Sequence, residues 1–344
     1  MKLMIIGAGV AGLAAAQRLR TMKLGLEIVI FEKSRGVGGR VATRRFNGAT
    51  FDHGAQYVKT PSAALRELLT ATLAHDSLHN IDLPVWTFDH EGKIGPGDAK
   101  LLTESKWSWE EGNTQLAKEL ARGLDVRFGQ QITHIERSEN GWTLWAGEQD
   151  LGRADAVLMT PPAPQTGALI EKSNLDPEAT ARLTNELNKV HYRPCLTITL
   201  GYPRRPRPRP FYALVNTDKQ HPVSWLALEH IKEGRKTAGQ GIYILQMAPQ
   251  WSLDHWDDQP EALAGEAAQL LTSLLDQPLR SPLWSNRQGW RFALPDGRAD
   301  PAILNAVLPG LYFAGDYTAG QGRVHLAIEQ GWAAAAAIAQ QLKP

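Results

Sequence analysis

Lys2-Leu3-Met4-Ile5-Ile6-Gly7-Ala8-Gly9-Val10-Ala11-Gly12 is the stretch whose reading decides the fold. Leu3 to Ile6 is a short apolar run, which reads as a parallel strand buried on both faces. It passes directly into Gly7-x-Gly9-x-x-Gly12 and then into the helical run Leu13 to Arg20. Strand, glycines and helix in that order are the context of a dinucleotide fingerprint. Gly7 permits the tight turn, Gly9 lets backbone approach a pyrophosphate, and Gly12 lets helix pack against strand. The helix N-terminus, Ala11 included, points unpaired N–H groups at the phosphates. A second apolar run, Ile28 to Phe31, ends in Glu32, where an acid would hold a ribose hydroxyl. An acid there argues against a 2′-phosphate and leaves FAD or NAD(H).

Two further stretches choose FAD. Lys33-Ser34-Arg35-Gly36-Val37-Gly38-Gly39-Arg40 is a second glycine loop carrying Lys33 and two guanidiniums. Arginine pairs bidentately with a pyrophosphate, and glycines such as Gly39 let backbone come close. Near the other end, Leu311 to Ala314 reads as a strand that runs into Gly315-Asp316, followed by a helix opening at Gly322-Arg323-Val324-His325. An acid at a strand end takes a ribityl or ribose hydroxyl, and a helix N-terminus stabilises negative charge on a reduced flavin ring. Taken alone, the first loop reads equally as a turn with solvated arginines and Gly315-Asp316 as a helix-capping turn. Together, at opposite ends of a chain that opens with the fingerprint, they point to FAD.

Glu32-Lys33-Ser34-Arg35-Gly36-x-Gly38-Gly39-Arg40, then Phe51-Asp52-His53-Gly54-Ala55-Gln56-Tyr57, resembles the renalase-like branch of the flavin amine oxidase superfamily. So do Thr160-Pro161-Pro162-Ala163-Pro164-Gln165, Trp251-Ser252, and Gly315-Asp316 with Gly322-Arg323-Val324. These motifs lie in the expected order from residue 3 to about 335. The resemblance implies an α/β fold: a Rossmann-like FAD-binding domain with an inserted α+β substrate domain, the flavin amine oxidase-type fold. It implies non-covalent FAD held by Gly7, Gly9, Ala11, Gly12, Glu32, Lys33, Gly39, Arg40, Gln56, Tyr57, Thr160, Gly315, Asp316, Arg323 and Val324. Trp290 and His325 are the candidates for the catalytic face. The implied reaction takes hydride from isomeric dihydronicotinamide nucleotides to give NAD(P)+, with O2 reoxidising the flavin to yield hydrogen peroxide. Oxidising a ring that is already dihydro requires no general base, because rearomatisation drives hydride loss.

The bulk properties are compatible. A chain of 344 residues exceeds what one core usually organises, so two domains are expected. A formal charge of +1 gives no general electrostatic reason to seek nucleic acid or membrane. The single cysteine, Cys195, excludes an internal disulfide, fits a reducing, cytoplasmic setting, and reads as a structural thiol within the strand-like run Cys195 to Leu200. Fingerprint glycines within the first apolar stretch favour a nucleotide loop over a signal peptide. The Ala333 to Ala337 tract reads as a packing helix, not a membrane span, and no metal-ligand cluster is apparent.

In chain order, Ser62 to Leu73 and Thr114 to Leu120 read as helices. Ile132 to Arg137 and Trp142 to Trp145 read as a meander about a turn at Asn140-Gly141. Ala156 to Met159 reads as a buried parallel strand delivering Thr160 to the nucleotide end of the sheet. Beyond it, Asp176 to Leu187 and Pro260 to Leu275 read as helices, and Cys195 to Leu200, Ser224 to Glu229 and Ile242 to Gln246 as strands. The expected FAD-binding domain is 1–60, 108–165 and 286–344, and the substrate domain 61–107 and 166–285. Pro203-Arg204-Arg205-Pro206-Arg207-Pro208-Arg209-Pro210 reads as an extended loop. It is either a stiff connector, the reading we favour, or an attractor for a phosphate-bearing substrate or an acidic partner.

The chain departs from the family at three places. It reads Gln288-Gly289-Trp290 where relatives often have His-Arg-Trp, Leu326-Ala327 where many have Gly-Ala, and Gly112-Asn113 where relatives often have Gly-Met. Two alternatives stay open: an amine oxidase or desaturase-like enzyme on the same fold, and a flavin-fold binding protein without turnover.

Overall fold

The computed structural model describes residues 1–139 and 141–341. The chain divides into two compact units, one made of 1–39, 116–192 and 294–344, the other of 40–115 and 193–293. The first is built on a five-stranded parallel sheet in the order Leu311–Phe313, Ala156–Met159, Lys2–Ile6, Glu27–Glu32, Asp125–Phe128. The three central strands are the near-continuous apolar runs of the sequence, and Leu3, Met4, Ile5, Ile30, Val157 and Leu158 are fully shielded from solvent, as a parallel sheet covered on both faces requires.

Helix Val10–Thr21 lies against the long helix Val324–Gln341. Their crossing is close because the facing residues are small. A Cβ on Gly331 would run into the carbonyl oxygen of Ala11 and come within 3.1 Å of the Ala15 nitrogen. Ala334 and Ala335 are buried, so the alanine tract packs as expected. Among the described residues no helix is long and apolar enough to cross a membrane.

A three-stranded antiparallel meander, His134–Ser138, Gly141–Ala146 and Gln149–Ala154, completes this unit with helices Ala163–Glu171 and Pro177–Leu187. Of the turn expected between the first two of these strands, Asn140 lies outside the described residues. Asp176 caps the second helix, accepting from the Ala179 N–H at 2.9 Å, with Pro177 at its first position.

The second unit is organised on a seven-stranded sheet in the order Trp284–Asp296, His191–Tyr202, Gly241–Met247, Val223–Leu228, Ala213–Asn216, Val85–Phe88, Ile94–Pro96. One face packs on helix Pro260–Leu275, burying Leu226, Leu228, Tyr243 and Leu245 with Leu263, Ala267 and Leu271. A hairpin, Thr43–Phe46 and Ala49–Asp52, turns through Asn47 (φ +48°) and Gly48 (φ +75°), the left-handed pair that a two-residue hairpin turn needs. Ser62 caps helix Ala63–Glu67, which continues as a π-turn through Thr72.

The divisions of the structure differ from those drawn on the sequence. Residues 40–60 belong to the second unit, because the hairpin is fixed there by buried ion pairs. Residues 166–192 belong to the first, where Leu169, Ile170, Leu183 and Leu187 enter the core of the meander.

Candidate functional site

In the first unit the glycine loop leaves the central strand as the sequence requires. Gly7 sits at φ +103°, and a Cβ there would lie 2.6 Å from Thr160 Oγ1. Gly12 faces the carbonyl oxygen of Gly7, with no room for a side chain. Gly9 differs: its φ is −72° and nothing lies within 4 Å of where its Cβ would stand. Its glycine is therefore demanded neither by conformation nor by the protein's own packing. What it leaves is open backbone at the start of helix Val10–Thr21, beside Ala11 and Gly12, where the first-turn N–H groups have no intrahelical acceptor. The second loop lies against the first: the Gly38 N–H bonds the Ala8 carbonyl at 2.9 Å, and Gly39 is within 3.8 Å of Gly9 Cα. Gly36 is likewise open, and Lys33 and Arg35 are exposed.

Glu32 ends its strand nearly buried, each carboxylate oxygen accepting one backbone N–H, from Ala8 at 2.9 Å and from Ser34 at 2.8 Å. The carboxylate is thus pre-aimed, with lone pairs left for a ligand hydroxyl. Thr160 turns out to be a support beneath the loop. Its hydroxyl donates to the Ile6 carbonyl at 2.7 Å and packs under Gly7 and Gly12.

Asp316 is buried at the strand end beyond Gly315 and accepts from the Tyr192 hydroxyl at 3.0 Å. Neighbouring Tyr317 fills the core with its hydroxyl toward the Met159 carbonyl; burial pushes its phenol well above the ordinary value. The Arg323 guanidinium is exposed and folds onto the Gly322 carbonyl at 3.0 Å, and helix Val324–Gln341 begins beside it with Val324, His325 and Leu326 part-buried.

The second unit holds the remaining candidates, and here the structure shows what the sequence did not. Asp52, Glu229, Lys232 and Arg235 form a fully buried group of two acids and two bases. Asp52 Oδ2 accepts from Lys232 Nζ and Arg235 Nη2, both at 2.8 Å, while Oδ1 accepts from Thr43 Oγ1 at 2.5 Å and the Asn113 N–H at 2.8 Å. Burial alone would raise the Asp52 carboxyl, but Arg235 and Lys232 outweigh it and hold it well below the carboxylate range. Burial raises Glu229 against the pull of the same two cations. Asp52 lies nearly two hundred residues from the other three, and the charged run Glu229 to Lys236 does not mark which of its charges are buried.

This cluster fixes the segment His53–Tyr57. Gln56 Nε2 bonds back to the Asp52 carbonyl at 2.5 Å, Asn113 Nδ2 holds the Ala55 carbonyl at 2.8 Å, and Gln246 Nε2 holds the Gly54 carbonyl at 2.7 Å. Gly112-Asn113, a departure from the family pattern, is therefore part of this frame. The Trp290 indole N–H donates to the His53 carbonyl at 2.9 Å, and the two rings lie 5.4 Å apart. Tyr57 stands 6.0 Å from Trp225, its hydroxyl on Glu104 at 3.0 Å. Arg40 donates to the Phe292 and Ala293 carbonyls, so in this structure its guanidinium is engaged by backbone. Burial, with the Arg44 charge adding to it, pulls His53 from 6.5 down to about 4, so the imidazole is neutral at physiological pH.

Several buried polar side-chain atoms of this unit lack a protein partner, His53 Nδ1, Gln56 Oε1, Trp225 Nε1 and Thr199 Oγ1 among them. Within the first unit, open glycine backbone and a pre-aimed acid fit the pyrophosphate and ribose of a dinucleotide.

Comparison with known proteins agrees. A model of the flavin-containing amine oxidoreductases matches residues 74–339, and one of NAD(P)-binding Rossmann-like domains matches residues 5–72. The chain belongs to the flavin-containing amine oxidoreductase family. FAD is the cofactor that membership brings. The 4,4'-diapophytoene desaturase (4,4'-diaponeurosporene-forming) of Staphylococcus aureus strain Newman is 45% identical over 121 residues, which cover 33% of this chain and 23% of that protein. The chain thus spans about a quarter of the length of the curated relatives it matches. Among solved structures, cyclohexylamine oxidase from Brevibacterium oxydans IH-35A superposes with a TM-score of 0.76 at 16% identity, covering 100% of both chains. A protein of Exiguobacterium sp. 255-15, provisionally assigned as a protoporphyrinogen oxidase, gives 0.79 at 17% identity, covering 99% of both chains. At these identities the likeness is one of fold.

Proposed function

We propose that this protein is a renalase-like oxidase that takes hydride from isomeric dihydronicotinamide nucleotides and returns NAD(P)+. Bound FAD supplies the hydride acceptor and delivers the electrons to O2, giving hydrogen peroxide. The chain's own residues bind and exclude. Gly7, Gly9, Ala11 and Gly12, with Lys33 and Gly39, offer backbone and charge to the pyrophosphate; Glu32 and Asp316 take ribose and ribityl hydroxyls. The Asp52 cluster holds Gln56 and Tyr57 in place, and Trp290 offers a flat apolar surface to a substrate ring. The assignment of a compartment, cytoplasmic, goes with this reading.

The observation that carries the proposal is the state of His53. The imidazole beside Trp290 is kept neutral by burial, with a pKa of about 4, and the nearest carboxylate, Asp52, is locked between Lys232 and Arg235. A substrate that loses hydride without losing a proton from carbon suits such a face. The test is anaerobic mixing of FAD-loaded protein with borohydride-reduced NAD, which contains the isomers. Bleaching of the flavin absorbance followed by peroxide formation on admitting air is expected. Bleaching by polyamines instead would establish an amine oxidase. Bleaching only by polyenes would establish a desaturase-like activity, the reading favoured by the Staphylococcus aureus match.

A further inference from the structure

The Pro203–Pro210 run plays no part in that reaction. We propose that it is the basic half of a peripheral docking surface for an anionic phospholipid bilayer, whose apolar half is Phe46 and Leu283.

All the residues involved belong to the second unit. The run is anchored rather than loose. Arg209 donates to the Leu275 carbonyl at 2.6 Å and to Gln277 Oε1 at 3.3 Å, Arg205 reaches Thr237 Oγ1 at 3.4 Å, and Pro206 packs over Gly241. Between these anchors Arg204 and Arg207 are exposed. The neighbouring surface is continuous. Leu283 N–H bonds the Gly201 carbonyl at 2.8 Å, and Trp284 carries Phe46 edge-on at 5.5 Å. Trp284 Nε1 also donates to Gln240 at 2.8 Å, and Gln240 Nε2 reaches the Asn47 carbonyl at 3.5 Å.

This ties the hairpin tip, segment 236–240, Leu283 and the arginine run into one patch. Leu283 is 60% exposed and Phe46 38%. Around them stand the exposed cations Arg45, Arg204, Arg205, Arg207 and Lys236. The acids nearby are Asp276, which shares a cavity of about 310 Å³ with Arg207 and Arg209, Glu233 in the adjoining loop, Glu110 against Gly234, and Glu111, whose carbonyl accepts from Arg45 at 3.5 Å. A chain-wide charge of +1 conceals this local excess, which acts over about one Debye length.

Cations alone would accept any polyanion. Large apolar side chains exposed among them gain nothing from a phosphate or a nucleic acid backbone, but they enter the headgroup boundary of a bilayer while the arginines meet its charge. The prolines keep the arginines extended without an ordering cost at binding.

The test is co-sedimentation of the FAD-loaded full chain with phosphatidylcholine vesicles, with and without phosphatidylserine. Binding only to the anionic vesicles, weakened by salt, is expected. Arg204→Glu with Arg207→Glu should lower partitioning by at least roughly twentyfold, each charge being worth about fivefold. Leu283→Ser, at a site exposed enough to spare the fold, should weaken binding severalfold, with the flavin spectrum as the check on folding. Absence of binding, or equal binding to both vesicle types, overturns the proposal. So does a Leu283→Ser variant that binds unchanged while dextran sulfate competes fully, since that identifies a general polyanion site.

Discussion

At the scale of single residues, Glu32 and His53 are the informative ones. Glu32 was legible: an acid at the end of the second strand, one fingerprint away from the glycines. The structure adds that Ala8 and Ser34 hold its two oxygens in place. If Glu32 holds the ribose as proposed, Glu32→Ala removes a charged hydrogen bond worth about 1.5–3 kcal/mol. FAD titration should show affinity reduced by roughly ten- to a hundredfold; an unchanged curve would mean another acid holds the ribose. His53 entered the sequence reading only as a member of the Phe51 to Tyr57 motif, because burial cannot be read from a lone residue. With its pKa lowered from 6.5 to about 4, the unfolded chain binds a proton that the folded protein refuses between those values. Stability is therefore full above pH 6.5 and falls as pH drops toward 4, by up to roughly 3 kcal/mol. His230, buried and also lowered to about 4, contributes in the same window. Urea unfolding midpoints measured across that range should slope with pH, and His53→Phe should reduce the slope to about half without abolishing it.

At the scale of elements, the strands and helices were largely visible and their partners were not. Ile28–Phe31, Ala156–Met159 and Pro260–Leu275 announce themselves by apolar runs and periodicity, and the structure places each as read. Helices Ala163–Glu171 and Pro177–Leu187 pack in the first unit because an amphipathic pattern fixes a buried face but not which core receives it. The buried group around Asp52 was invisible for a related reason: ion pairs across nearly two hundred residues leave no periodicity. That group makes a sharp expectation. Lys232→Met leaves two acids facing Arg235 alone in a site that excludes water, and should cost about 3–5 kcal/mol. Combining it with Asp52→Asn restores the charge balance and should recover part of the loss. Thermal and urea unfolding of the single and double variants decide the matter; a double variant no more stable than Lys232→Met would show that geometry, not charge balance, governs the group.

At the scale of the whole molecule, the chain leaves its Rossmann-like sheet after residue 39, returns at 116, and leaves and returns once more. The sequence reading expected an inserted second domain, with boundaries that differ from these. What was not legible is why the crossing points fall where they do. Residues 40–60 go with the second unit because Asp52 must meet Lys232 and Arg235. This arrangement bears on catalysis through what it withholds. The second unit's aromatic face carries a neutral imidazole, His53, and a locked carboxylate, Asp52, neither of which changes protonation near neutrality. If hydride leaves an already dihydro ring, none is needed. The rate of flavin reduction by borohydride-reduced NAD, followed by stopped flow over roughly pH 6–9, should therefore be flat. We propose that His325, at the opening of helix Val324–Gln341, senses charge on a reduced cofactor through the helix terminus. His325→Asn should shift the flavin's reduction potential modestly and leave hydride transfer within about tenfold, as expected for a neutral hydrogen bond of ~1 kcal/mol. A rate that falls steeply below one pKa in the parent protein and becomes flat in His325→Asn would instead make His325 a general base, and base-assisted oxidation of an amine would become the better account of the enzyme.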